Sequence, residues 1–89
     1  MPQITLKIRN KVGLPARPAA LFVQEVNKYH SEIQVKKDDQ IVNAKSILSI
    51  LTLGVNQGTT ITVLAEGDDA EDALKAIQAL SDANFLEQE

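Results

Sequence analysis

ITLKIRNKVGLPARPAALFVQEV, residues 4–26, changes its hydrophobic period once, and that change points to the fold class. Ile4, Leu6 and Ile8 alternate with Thr5, Lys7 and Arg9, the period of two expected of a half-buried strand. Gly13 breaks the alternation. From Ala16 the period lengthens: Ala19, Phe22, Val23 and Val26 fall at i, i+3, i+4 and i+7, one face of a helix. Pro18 suits the first turn of that helix, where its missing N–H costs little. The spacing predicts a helix ending near Tyr29–Ser31. A strand therefore turns directly into an amphipathic helix. At the helix entrance, exposed backbone N–H groups, the positive end of the dipole and the Arg17 guanidinium would converge on an anion. Residue 15, at that entrance, is a proline, which has no nucleophile. Phosphate could be bound there by Ala16 N–H and Arg17, but not carried covalently on Pro15.

Onward from this segment, Ile33 and Val35 alternate with polar neighbours up to Lys36-Lys37. Asp38-Asp39 is a turn signal, and Gln40–Asn43 resumes extended structure, which predicts a hairpin. Ser46 then opens the apolar run Ile47–Leu53, closed by Gly54. A capping serine and a C-terminal glycine bracket a helix of about two turns. Gln57-Gly58 is a turn, and Thr60–Ala65 is a β-branched strand with Ile61, Val63 and Ala65 on one face. Gly67-Asp68-Asp69 punctuates again, with Asp69 placed to cap a last helix. Glu71 and Lys75 form an i,i+4 pair on that helix, and Ala73, Leu74, Ile77 and Leu80 form its buried stripe. The tail Glu87-Gln88-Glu89 is expected to fray.

The order is β-α-β-β-α-β-α. An antiparallel hairpin interleaved with helices implies an α+β two-layer open-faced sandwich, a four-stranded sheet with three helices on one face. Thr5, Lys7, Gln34, Lys36, Thr60 and Thr62 are left for the solvated face.

Eighty-nine residues make a single domain, residues 1–89, of radius of gyration roughly 12 Å. A hydrophobic content of 44% is enough for one core and leaves no room for a deep cofactor pocket, so no cofactor is expected. Phe22, Tyr29 and Phe85 are too few for a base-stacking surface. The net charge of −3 argues against direct nucleic-acid binding and against a polybasic membrane anchor. With no cysteine there is no disulfide framework and no thiolate metal site. No secretory signal and no stretch of ~20 apolar residues is visible, so a cytoplasmic protein without membrane insertion is expected.

That element order, together with three local motifs, resembles the HPr family, the histidine-containing phosphocarrier proteins of the bacterial sugar phosphotransferase system. The likeness spans essentially the whole chain. Gly13-Leu14-x-Ala16-Arg17-Pro18-Ala19 is similar to the family's active-site signature, G-[LI]-H-A-R-P-A. Asn43-Ala44-Lys45-Ser46-Ile47, followed by Leu53-Gly54-Val55, resembles its regulatory-serine region. The resemblance implies that a histidine at the position of Pro15 would take phosphate from the phosphoenolpyruvate-dependent first enzyme and pass it to a permease component. Ala16 and Arg17 would hold the phosphoryl group. Here the histidine is replaced, no neighbour substitutes for it, and carrier chemistry is expected to be absent. A non-catalytic regulatory or docking protein follows. Two origins fit the proline: a natural relative without carrier chemistry, or an engineered or variant histidine-to-proline change in a carrier. A decoy that occupies the first enzyme or a permease component is a third reading. By resemblance Ser46 is a regulatory phosphorylation site, served by a serine kinase and acting alongside a transcription regulator of catabolite repression, as in a branch of the family that also lacks the histidine.

The docking surface is expected around Leu14, Arg17, Ala20, Ile47, Leu48 and Leu51. A two-turn helix buries only one face, which Ile50 and Leu53 can supply, leaving Leu48 and Leu51 exposed. Arg17, Lys45 and Ser46 would rim that patch. His30, the only histidine, fits a solvated cap at the end of the first helix better than a substitute phosphate carrier. Asp68, Asp69, Glu71 and Asp72 sit at a helix start and fit capping better than a metal site.

Overall fold

The computed structural model describes residues 2–9, 16–83 and 85. Seven elements follow in the expected order: β1 (Gln3–Lys7), α1 (Ala16–Val26), β2 (Glu32–Lys37), β3 (Gln40–Asn43), α2 (Ile47–Thr52), β4 (Thr60–Glu66) and α3 (Ala70–Asp82). The strands form one sheet in the order β1-β4-β2-β3, and every neighbouring pair is antiparallel. β4 is central because its alternation buries Ile61, Val63 and Ala65 while its backbone pairs on both sides. Leu6 stands opposite Ile61, and Val63 lies between Ile4 and Val35. These inward residues share one sheet face because side chains alternate along a strand.

The helices cover that face. Ala19, Phe22 and Val26 of α1, Ile50 of α2, and Ala73, Leu74 and Ile77 of α3 are all buried with the strand residues in one core. Leu80 and Val23 pack at its margin. Phe85 closes the end, its ring 6.2 Å from Phe22 and tilted by 55°. On the outer face Thr5, Lys7, Gln34, Lys36 and Thr60 are exposed and Thr62 is half-buried. The Cα radius of gyration is 11.6 Å.

Three local expectations are corrected. α1 stops at Val26, short of Tyr29–Ser31. Its last amides, Lys28 N–H to Glu25 carbonyl and Tyr29 N–H to Val26 carbonyl, close i→i−3 turns at 3.2 Å. The Val23 carbonyl accepts twice from Asn27, from its backbone N–H at 3.0 Å and from its side-chain amide at 2.8 Å. Asp69 stands at the N-cap position of α3 but makes no capping bond there. Its carboxylate is turned to other donors, described below. Lastly, the ion pair among the described residues is Glu25–Lys28 at 3.2 Å, and Glu71 and Lys75 do not meet. The frayed tail expected at 87–89 lies outside the described residues.

Candidate docking surface and anion site

Ser46 precedes α2 with extended backbone angles, φ −108° and ψ 116°, and its hydroxyl oxygen accepts from Ser49 N–H at 3.3 Å. Its carbonyl accepts from Ile50 N–H at 3.1 Å, the first bond of the helix. This is the expected serine cap, because a β-region residue with a short oxygen can satisfy a free amide of the first turn. The other end closes at the expected glycine. Gly54 follows the C-cap Leu53 with φ +67°, the left-handed value a glycine tolerates, and the carbonyls of these two residues are met from a distant strand. The Lys37 ammonium donates to Leu53 O at 3.0 Å and to Gly54 O at 3.1 Å. A cation at a helix C-terminus is also favoured by the dipole. Nothing local to residues 47–54 signals this contact.

The short helix divides its side chains as a single buried face requires. Ile50 and Leu53 are 2% and 3% exposed, whereas Leu48 is 73%, Leu51 39% and Ile47 37% exposed. The apolar patch expected from the sequence is therefore present on α2. Arg17 is exposed on the first turn of α1, and Ala20, one turn on, is half-buried. Leu14, Pro15 and the side chain of Ala16 lie outside the described residues.

Lys45 does not rim the patch beside Arg17. Its ammonium donates to the Tyr29 carbonyl at 2.7 Å, and its own carbonyl accepts from Asn27 Nδ2 at 3.3 Å. Asn43 Oδ1 holds the Lys45 amide at 2.9 Å, which fixes the turn leading into Ser46. The start of α2 is thus fastened to the far end of α1 from Arg17, about 14 Å away along the helix axis. Lysine chemistry was legible in the sequence, but not the direction of the side chain. Nearby, burial first and the Glu25 charge second push the Tyr29 phenol above its ordinary range.

His30 does not cap α1, which ends four residues earlier; it is exposed, and its backbone N–H donates to Asp69 Oδ2 at 2.8 Å. Asp69 Oδ1 accepts from Ser31 N–H at 2.9 Å and also from the buried Ser31 hydroxyl. The Ser31 hydroxyl, then the His30 amide, hold the Asp69 carboxyl down at about 2, because each hydrogen bond favours the charged form. A ring nitrogen of His30 and carboxylate oxygens of Asp68 and Asp69 lie within 4.8 Å of one another. Asp69 serves here as a clamp between the α1–β2 turn and the start of α3. At the far end of α3, Arg9 donates to the Ser81 and Asp82 carbonyls at 3.4 and 3.3 Å.

No helix among the described residues is long and apolar enough to cross a membrane. The family described as "PTS HPr component phosphorylation site" matches residues 2–83. The HPr-like protein Crh of Halalkalibacterium halodurans is 45% identical over 89 residues, the full length of both chains. The HPr-like protein Crh of Bacillus subtilis is 47% identical over 79 residues, 89% of this chain and 93% of that one. Among solved structures, HPr-C-His from Thermoanaerobacter tengcongensis is similar with a TM-score of 0.95 and 52% identity, covering 100% of both chains.

Proposed function

The chain belongs to the HPr family, and we propose that it is a regulatory docking module of that family without carrier chemistry. The observation that carries the reading is Pro15. Phosphohistidine transfer needs a ring nitrogen that can attack phosphorus and later leave, and a prolyl ring nitrogen is locked in an amide. What remains at the helix entrance is Arg17, an exposed guanidinium suited to a partner's carboxylates or phosphate. α2 offers Ile47, Leu48 and Leu51, and exposed apolar residues of this kind suit protein contact.

Ser46 gives this surface a control point. A phosphoryl group on its oxygen adds roughly −1.5 to −2 charges at the start of α2, next to free amides and the positive dipole end. The Ser49 amide already points at that oxygen, so the modified residue keeps an acceptor where the cap needs one. Partners that contact α2 would meet a new charge on an unchanged fold. The partners that fit are a serine kinase and a transcription regulator of catabolite repression; the first enzyme and permease components fit as well, bound without phosphate transfer. The setting is the cytoplasm.

The test is intact mass in two mixtures. With first enzyme and phosphoenolpyruvate no acid-labile phosphate is expected, and its appearance on this chain would sink the reading. With serine kinase and ATP one phosphoryl group is expected, and Ser46→Ala should abolish it; uptake that persists removes Ser46 as the control point. Pro15→His is expected to gain acid-labile phosphate in the first mixture, because Arg17 and the family's surrounding sequence are in place.

A further inference from the structure

His30, Asp68 and Asp69 bring three metal-binding side chains together from two distant segments, and the docking surface uses none of them. His30 lies in the turn between α1 and β2, and the two aspartates lie between β4 and α3. One ring nitrogen and one oxygen from each carboxylate are all within 4.8 Å of one another. Ligand atoms about 2.0–2.2 Å from a tetrahedral ion stand about 3.3 Å apart. His30 and Asp68 are exposed, so rotation of their side chains can close that difference.

Asp69 is already oriented. The His30 backbone N–H donates to Oδ2, while the Ser31 N–H and hydroxyl both donate to Oδ1, which fixes the plane of the carboxylate. An ionised carboxylate offers about four lone-pair sites, so Oδ2 keeps one open. Hydrogen bonds of this kind are what hold a metal ligand in place from behind. Among the described residues neither Asp68 nor Asp69 has a cationic side chain within ion-pair distance. Two neighbouring carboxylates repel, and a cation between them removes that repulsion. His30 also lines an open cavity with Glu32 and Gln34, and Asp68 lines a second with Glu71 and Asp72, which leaves room for water on an ion.

We propose that His30, Asp68 and Asp69 form a surface site for one divalent transition ion of the zinc type, with water completing its coordination. The imidazole decides the class of ion. Magnesium and calcium take oxygen ligands, whereas an imidazole nitrogen suits zinc, nickel and copper. Zinc accepts three protein ligands and a water in a tetrahedron. The affinity is modest, because two of the ligands are exposed and the positive dipole end of α3 opposes a cation. Glu71 and Asp72 in the first turn of α3 offset part of that field. A bound ion adds a second tie between the α1–β2 turn and the start of α3, beside the bonds from Asp69 to Ser31. The docking module rests on Arg17, Ser46 and α2, so it stands or falls separately from this site.

The experiment titrates the full chain, carrying no histidine tag, with zinc chloride at about pH 7.5, where an ordinary histidine is mostly neutral. Calorimetry reads stoichiometry and affinity, and NMR follows the His30 ring and the amides of His30, Ser31, Asp68 and Asp69. Expected are one ion per chain, shifts centred on those residues and a dissociation constant of about 1–100 µM. Zinc at about ten times that constant should raise the melting temperature by about 6–11 °C, because only the folded chain holds the site. His30→Gln and Asp68→Asn should each weaken binding roughly tenfold or more, while melting like the parent without zinc. Magnesium in about tenfold excess should not displace the zinc. The proposal is overturned if about 1 mM zinc gives no localised shift, or if shifts are confined to Glu71 and Asp72. Either variant binding zinc as the parent does, or magnesium binding as tightly as zinc, overturns it as well.

Discussion

Truncating two residues of α2 separates docking from packing, because Leu48 and Ile50 lie on one six-residue helix and differ only in what covers them. Leu48 is 73% exposed and Ile50 is 2% exposed. Fully burying a leucine side chain stabilises by about 1.5–3 kcal/mol, so a partner that covers Leu48 gains about 1–2 kcal/mol from the uncovered part. The fraction already covered contributes about 0.5 kcal/mol to folding on the same scale. Leu48→Ala is therefore expected to cost little stability and to weaken partner binding about 5–40-fold. Ile50→Ala should do the reverse, costing about 2–5 kcal/mol through lost transfer energy and a cavity. For a domain of this length, whose total stability is roughly 4–13 kcal/mol, that is a large fraction. Urea unfolding followed by circular dichroism reads the first quantity, and calorimetric titration with the regulator or the first enzyme reads the second. The reasoning fails if Leu48→Ala destabilises as much as Ile50→Ala. It also fails if every partner binds Leu48→Ala within twofold of the parent.

Two further predictions concern the clamp between Asp69 and Ser31. Gly67 has φ +147°, and a Cβ there would lie 2.5 Å from Ser31 Oγ and 2.8 Å from Ser31 Cα. Gly67→Ala thus combines backbone strain of about 1–3 kcal/mol with an overpacking cost of similar size, and a loss of about 2–6 kcal/mol in urea unfolding is expected. A loss within about 0.5 kcal/mol, the range of ordinary surface changes, would show that the turn rearranges freely. The Asp69 carboxyl sits at about 2 in the folded chain against an ordinary value of 3.8. Its folded value is depressed, so its contribution is complete above pH ~4 and is lost as pH falls through ~2. The parent should therefore lose stability more steeply than Asp69→Asn between those limits; parallel slopes in acid titrations would refute the assignment.

The elements were legible because each carries its own period: Leu6 in β1 with Ile8 just past it, Phe22 and Val26 in α1, and Ile61, Val63 and Ala65 in β4 announce what they bury. The exposure of Leu48 and Leu51 was legible for the same reason, since two turns of helix cannot bury two faces. What escaped the sequence was set by contacts between distant segments. The stop of α1 comes with a switch to i→i−3 turns at Lys28 and Tyr29, and the Tyr29 carbonyl is then met by Lys45, sixteen residues away. Asp69 occupies a helix-start position by every local rule, yet Gly67 lets Ser31 approach so closely that the carboxylate is drawn to another segment. Lys37, in a lysine pair with no local cue, reaches the Leu53 carbonyl just past α2 from a strand sixteen residues earlier.

Those long-range ties also bear on how the docking surface can be controlled. Lys45 and Asn27 fasten the Ser46 end of α2 to the end of α1 farthest from Arg17. A charge added at Ser46 therefore arises at the end of α1 that lies about 14 Å along the helix axis from Arg17, beyond a Debye length at ordinary salt, so weak coupling to the guanidinium is expected. Phosphorylation would then act on a partner through what that partner places over the start of α2, leaving its contacts with Arg17 intact. A regulator that reaches Ser46 gains or loses affinity with the phosphate, whereas one centred on Arg17 is nearly indifferent to it. Binding to phosphorylated and unmodified chain, each with and without Arg17→Ala, distinguishes the cases: near-additive effects are expected, and strong coupling between the two positions would show that the phosphate and the guanidinium meet.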